Sequence, residues 1–351
     1  MSVDFPAKLI NNIHASGNRR VYEAIESLIA DGYVKRYRKD KIGSLRLTKK
    51  GQSYLESVNK ERFGEAVLSK RKYSKSELKK RIRIHRIAAT YLMMKNSGIK
   101  IYKDQKPKLF SEDERNIIEI KEPVFYSSGE IKSFGIECTK IKFTRAVGVM
   151  LIEADNGFIV YNAENTLMKW SSQAEQKLHG VISGILLKNS IQIDNFSAIM
   201  MGNNMDSAKK QLLSKGGPRN CYFKLDNTFN EFYFVPETRD GEFLLRLLSS
   251  VHERKFLKEK VLDLFNIDNN SAPFVSDGVD SKERMTLLAY TFDMERIRKF
   301  KSAIEMFEEP ALVICFDFQR KVLEGYFGNL AQIEVIDRKW VAQELGWCNE
   351  A

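Results

Sequence analysis

Positive charge in this chain is concentrated at one end. Residues 1–86 hold 22 Lys and Arg against 9 Asp and Glu, a net of +13, while the whole chain of 351 residues carries only +11. The rest of the chain therefore sums to −2 and is close to neutral. A basic segment joined to a neutral body reads as an appended surface for a polyanion, most often nucleic acid, with an anionic membrane as the other candidate.

The bulk properties restrict the class of the body. A chain of 351 residues suits two or three domains. At 43% apolar and 29% charged it has a globular composition. No apolar run approaches the ~20 residues of a membrane span. The first residues contain no apolar signal core, so secretion is not expected. Cys138, Cys221, Cys315 and Cys348 form no C-x-x-C pair and no zinc pattern, which fits reduced thiols in a cytoplasmic protein. His14, His85, His179 and His252 are scattered, which argues against the histidine-held metal of a rolling-circle relaxase.

The N-terminal pattern has the order of a winged helix. Asp4 can cap a short helix over residues 5–14, with Pro6 in its first turn. A second helix is expected over residues 19–30, with Val21, Ile25, Leu28 and Ile29 as one buried stripe and Gly32 ending it. Two short strands follow, residues 33–38 and 44–48, joined by a basic tip at residues 39–43. Thr48 can cap a further helix through residue 55. In this fold the second helix can enter the major groove while the hairpin follows a phosphate strand. Asn18, Arg19 and Arg20 stand at the helix end that would read bases, although Glu23 and Glu26 beside them would repel phosphate. The hairpin collects Lys35, Arg36, Arg38, Lys39, Lys41 and Arg46 within twelve positions. The bland alternative is a winged helix used for protein contact. The helix that commonly precedes this pair has no room here, so a later helix or a partner subunit is expected to supply its packing.

A second basic stretch runs from Lys70 to Arg86. Nine of its seventeen residues are Lys or Arg and one is acidic. Lys70, Arg71 and Lys72 precede a helix expected from Ser76 onward, on which Lys79, Lys80, Arg83 and Arg86 share a face. An ordinary solvated face is the alternative to phosphate contact.

The body alternates strands and helices. Expected elements are a strand within residues 116–125, a helix start capped by Ser127 or Ser128, a hairpin of residues 145–153 and 158–162, and a helix over 167–187. Further on, residues 221–225 and 231–235 are expected to pair with each other, residues 241–265 to be helical, and residues 285–316 to form a βαβ unit. The fold class is therefore α/β (α+β): a winged helix at residues 1–60, a basic helical connector at 61–99, an α/β domain with a hairpin at 100–190 and a C-terminal α/β domain at 191–351.

Catalytic signatures are sparse. The chain has no P-loop, no G-x-G-x-x-G and no G-x-S-x-G. A metal-dependent nuclease needs converging carboxylates and a lysine. Weak matches are Glu119 with Lys121, Glu130 with Lys132, and Glu153 with Asp155. Asp293 and Asp317 each follow a strand of the βαβ unit, at the sheet edge where α/β proteins bind ligands. A helix cap is the simpler role for Asp293.

Four stretches together carry a resemblance. They are Ile42-Gly43-Ser44-Leu45-Arg46-Leu47-Thr48 with Gly51, Arg81-Ile82-Arg83-Ile84-His85-Arg86-Ile87-Ala88, Phe125-Tyr126-Ser127-Ser128-Gly129-Glu130-Ile131-Lys132, and Val160-Tyr161-Asn162 with Met168-Lys169-Trp170. Over residues 1–190 the chain resembles the replication-relaxation family of Gram-positive plasmids and integrative elements. The resemblance implies a winged helix followed by an α/β domain, with Glu153, Asp155 and Lys177 in the places of the family's acidic strand and helix lysine. After Asp155 the chain departs from the family pattern. The expected function is binding of double-stranded DNA in replication, transfer or control of a mobile element, by a homodimer that also contacts a protein of that machinery. No cofactor is expected. The alternatives are a magnesium-dependent nuclease or nickase, and an interaction module whose basic end touches RNA or membrane.

Overall fold

A helix, a hairpin and a second helix follow one another at the N-terminal end. The computed structural model describes residues 18–39, 42–63, 77–109, 118–132, 144–153, 156–193, 196–270 and 275–347. The chain divides into two compact units, Met1–Lys108 and Leu109–Ala351.

In the first unit, helix α1 (Asn18–Ala30) ends at Gly32, whose φ of +74° only glycine adopts without strain. Strands β1 (Val34–Lys39) and β2 (Ile42–Leu47) form an antiparallel hairpin. Each strand extends further toward the tip than the residue pattern suggested, and residues 40 and 41 of the tip lie outside the described residues. Helix α2 (Lys49–Val58) starts on Thr48, whose Oγ1 accepts the Gly51 N–H at 3.1 Å, as expected of that cap. Helix α3 (Lys60–Phe63) and the long helix α4 (Glu77–Asn96) follow. Of the stripe expected on α1, Ile25 is buried, Ile29 is half-buried and Leu28 is exposed at 43%. The 3.6-residue period marks one face of a helix, but it does not say how wide a band its neighbours cover. The helix expected over residues 5–14 lies outside the described residues.

The second unit is mixed α/β with two mixed sheets. Strand β3 (Val124–Ser127), helix α5 (Ser128–Lys132), strands β4 (Ala146–Glu153) and β5 (Asn156–Glu164), helix α6 (Ser172–Lys188), strand β6 (Ser197–Gly202), helix α7 (Met205–Leu212) and strand β7 (Phe232–Pro236) come in that order. Their sheet runs β3-β4-β5-β6-β7, antiparallel across β3, β4 and β5 and parallel from β5 onward. Because β5 and β6 pair directly, the sheet continues through residue 190 without a seam. Helices α8 (Arg239–Leu248) and α9 (Val251–Leu264) lead to the second sheet, ordered β11-β10-β9-β8. It contains β8 (Gly278–Val279), β9 (Met285–Leu288), α10 (Met294–Phe307), β10 (Ala311–Phe316), α11 (Asp317–Phe327), β11 (Gln332–Ile336) and α12 (Arg338–Glu344). β9, α10 and β10 form the expected βαβ unit, with β9 and β10 parallel.

Three expectations for the body are corrected. The helix expected from residue 167 begins at Ser172, because residues 168–170 are extended and Lys169 bridges Tyr222. Residues 221–225 do not pair with 231–235: β7 instead pairs in parallel with β6, whose apolar residues offer a fully buried neighbour. The expected single helix over 241–265 is two helices, since Ser250 caps α9 by accepting the Glu253 N–H at 3.2 Å. Between the elements, Trp170 packs edge-on to Phe223 at 5.1 Å, and Tyr161 lies 5.4 Å from Trp170. No helix among the described residues is long and apolar enough to cross a membrane.

Gly51 leaves no room for a side chain. A Cβ there would collide with the Tyr33 carbonyl oxygen, which is held by the Thr48 N–H at 3.0 Å. Gly51→Ala is expected to destabilise the hairpin and α2 by about 1–3 kcal/mol. Thermal melting and limited proteolysis should show faster cleavage within residues 18–63.

Candidate nucleic-acid interface

The hairpin register sorts its side chains by face. Lys35 lies directly opposite Arg46, and Tyr37 follows two positions along on the same face. The Arg46 guanidinium sits 3.6 Å from the centre of the Tyr37 ring. Lys35 is exposed. The opposite face carries Val34, Leu45 and Leu47, and from it Arg36 forms an ion pair with Glu26 of α1. Leu47 lies beside Gly51 at the start of α2, so this second face turns inward. Two cations pack on tyrosines: Arg46 on Tyr37, and Lys50 4.8 Å from the Tyr33 ring.

Helix α1 presents a different surface. Tyr22, Glu23, Glu26 and Leu28 are exposed on it. Asn18, Arg19 and Arg20 occupy its first turn, while Arg38 and Lys39 end β1 and Lys79 and Lys80 lie in the first turn of α4. Arg83 is exposed on α4. Lys41, Lys70, Arg71, Lys72 and Asp155 lie outside the described residues. Not every basic residue is left for a ligand. Arg62 is spent on Asp104, with Nε at 2.9 Å from Oδ1 and an Nη at 2.7 Å from Oδ2, which holds the Asp104 carboxyl below its usual range.

Tyr37 was not among the residues chosen from the sequence. The signal was present: a tyrosine between Arg36 and Arg38, in a strand whose partner carries Arg46. Its importance depends on register, which composition does not encode.

Among the described residues the acidic candidates belong to no metal-holding group. Glu119 lies in irregular chain rather than on the strand expected there, and it pairs with Lys121 at 3.4 Å on the surface. Glu153 is exposed at the end of β4, and Lys177 is exposed on α6. Glu130 closes the start of α5: Ser127 N–H donates to its carboxylate at 2.8 Å, while Ser127 Oγ accepts the Glu130 N–H at 3.3 Å. Among the described residues no group of three His, Cys, Asp or Glu could hold a metal ion. His179 packs 4.6 Å from Phe229, and burial lowers its imidazole to about 4.

Several polar groups buried in the body bond to neighbouring elements. Glu175 accepts from Tyr161 Oη at 2.8 Å and Thr144 Oγ1 at 2.8 Å, and burial raises its carboxyl. On the surface, Asp317 pairs with Arg338 at 3.0 Å. Asp293 caps α10, its Oδ1 accepting from Glu295 N–H at 3.0 Å, and the same oxygen accepts from Phe232 N–H of β7 at 3.0 Å. Its Oδ2 is buried without a hydrogen-bond partner. The capping role expected of Asp293 is therefore what its geometry serves.

Burial pushes the Asp293 carboxyl from its usual 3.8 up to about 6, against the lowering effect of the Phe232 N–H. Between those values the folded chain keeps a proton that the unfolded chain has released. This contribution to stability is full below the window and is lost as pH rises through about 6. Asp293→Asn keeps an oxygen for the cap, and denaturant titrations across this range should show a flatter pH dependence for the variant. No family model, no curated protein and no solved structure matches this chain.

Proposed function

We propose that this chain binds double-stranded DNA through its Met1–Lys108 unit. The observation that carries the reading is the agreement between charge and architecture. The Met1–Lys108 unit holds 27 Lys and Arg against 10 Asp and Glu, a net of +17, while Leu109–Ala351 holds 30 against 36, a net of −6. A boundary drawn by packing alone thus separates a strongly basic unit from an acidic one. Such an asymmetry concentrates a positive field on one module, steers a polyanion to it and leaves the other module free for a different task.

The resemblance to the replication-relaxation proteins supports a role for this binding in the replication, transfer or control of a bacterial mobile element. On this reading the α/β unit pairs with a second copy or recruits a protein of that machinery. The nuclease alternative has less support, since Glu119, Glu153 and Lys177 do not come together with other acids among the described residues.

The test is a titration of labelled duplex DNA with the full chain over a range of salt, alongside anionic vesicles. Binding that weakens steeply and log-linearly with salt, with no comparable vesicle binding, is the expected result. Vesicle binding without duplex binding would replace this reading by the membrane one. Magnesium-dependent nicking of supercoiled plasmid, lost in Glu153→Ala, would move the nuclease reading to first place.

A further inference from the structure

Resting on the DNA-binding reading above, we propose that the Leu109–Ala351 unit carries a second contact for the phosphate backbone of duplex DNA, built on the loop of residues 214–223 and the cations beside it. The net charge of that unit hides how its charge is placed. Residues 207–225 hold Lys209, Lys210, Lys215, Arg219 and Lys224 and no Asp or Glu. The other residues of the unit hold 25 Lys and Arg against 36 Asp and Glu, a net of −11. Five cations without one acid make a local field that attracts a polyanion, whatever the sum over the unit.

The fold gathers these residues. Ser214 Oγ donates to the Phe223 carbonyl, and the Tyr222 N–H donates to the Gly216 carbonyl at 2.9 Å, so the chain between them closes into a loop. Lys215 adjoins the first bonded residue and Lys224 adjoins its partner. Lys169 pairs with Tyr222 across an antiparallel bridge and adds a sixth cation from the segment after β5. Lys210 Nζ donates to the Asn165 carbonyl at 3.4 Å, which holds the end of α7 against that same segment. Lys169, Lys210, Lys215 and Arg219 are exposed, and Lys209 and Lys224 are half-buried. None of the six forms an ion pair among the described residues. Elsewhere in the unit Lys258 and Arg296 pair with Asp277, and Arg284 pairs with Asp280.

The loop backbone is shaped at a cost. Gly216 and Gly217 take φ of +84° and +63°, and a Cβ on Gly217 would stand 2.6 Å from the Tyr222 ring. Glycine meets both demands. Arg219 takes φ of +59° while carrying a side chain. Glycine would hold that conformation with less strain, so an arginine kept there calls for a reason in its guanidinium. That group is exposed, and its planar fork matches two phosphate oxygens. The lysines around it are point charges, which position a duplex without reading its bases.

The experiment titrates a labelled duplex with the full chain and three variants over a range of salt. They are Arg219→Gly, the double variant Lys215→Gln with Lys224→Gln, and Lys255→Gln. Lys255 is an exposed lysine on α9 and controls for net charge. Arg219→Gly should weaken binding by about three- to tenfold and flatten the salt slope by about one, and the double variant should flatten it by about two. Lys255→Gln should change affinity by less than about twofold at about 0.15 M salt, where charges beyond a Debye length are screened. Arg219→Gly should leave Tm unchanged or raise it, because relief of the left-handed strain offsets the added freedom of the unfolded chain. Unchanged affinity in Arg219→Gly and the double variant, with the unchanged chain still binding, overturns this contact and leaves the DNA-binding reading standing. An equal loss in Lys255→Gln also overturns it, since the effect would then belong to net charge. A clear fall in Tm with Arg219→Gly assigns that side chain to the fold and overturns its part in the contact. Absence of duplex binding by the unchanged chain removes the DNA-binding reading and this inference with it.

Discussion

One carboxylate joins the two sheets of the Leu109–Ala351 unit. Asp293 caps α10 with an oxygen that also takes the Phe232 N–H at the start of β7, and its backbone bridges Tyr233. The Phe234 N–H then donates to the Phe292 carbonyl at 3.1 Å. The edge of the five-stranded sheet is thereby closed by the segment that follows β9 of the other sheet. An unpaired edge in this position would expose a row of backbone donors and acceptors, so the bridge both satisfies them and merges two layers into one unit. Nearby, Asp277 accepts from Arg296 at 2.8 Å and Lys258 at 2.9 Å, so the second buried acid of this region is neutralised by cations from α10 and α9.

The buried acids of the body are committed: Asp293 to a cap, Asp277 to an ion-pair network, and Glu175 to Tyr161 and Thr144. The Met1–Lys108 unit holds 27 Lys and Arg against 10 Asp and Glu, and Lys35 stands opposite Arg46 in its hairpin.

Much of the local structure was legible in the residues. Thr48 and Asp293 were identifiable as caps, Gly32 as a helix end, and residues 285–316 as a βαβ unit, because each depends on chemistry within a few positions. The misreadings share another cause. Residues 221–225 carry a pattern that suits a strand, yet they pair with residues 168–170 through the Lys169–Tyr222 bridge, since β7 is taken by β6. Leu28 falls on the right period for burial, yet it stays 43% exposed. The single helix expected over residues 241–265 missed Ser250, because apolar spacing continues through a cap that resets the helix.

The candidate interface divides along the same line. Sequence alone determined that the chain has a basic end and a near-neutral remainder, that the end contains a helix and a hairpin rich in Lys and Arg, and that the body alternates strands with helices. Those properties are carried by composition and short-range pattern. Only the tertiary structure decided that the charge boundary coincides with a division between packed units, that Lys35 faces Arg46 with Tyr37 beside them, and that Arg36 is drawn back to Glu26. Register and packing set these relations, and in a hairpin a shift of one residue would move every one of those side chains to the other face.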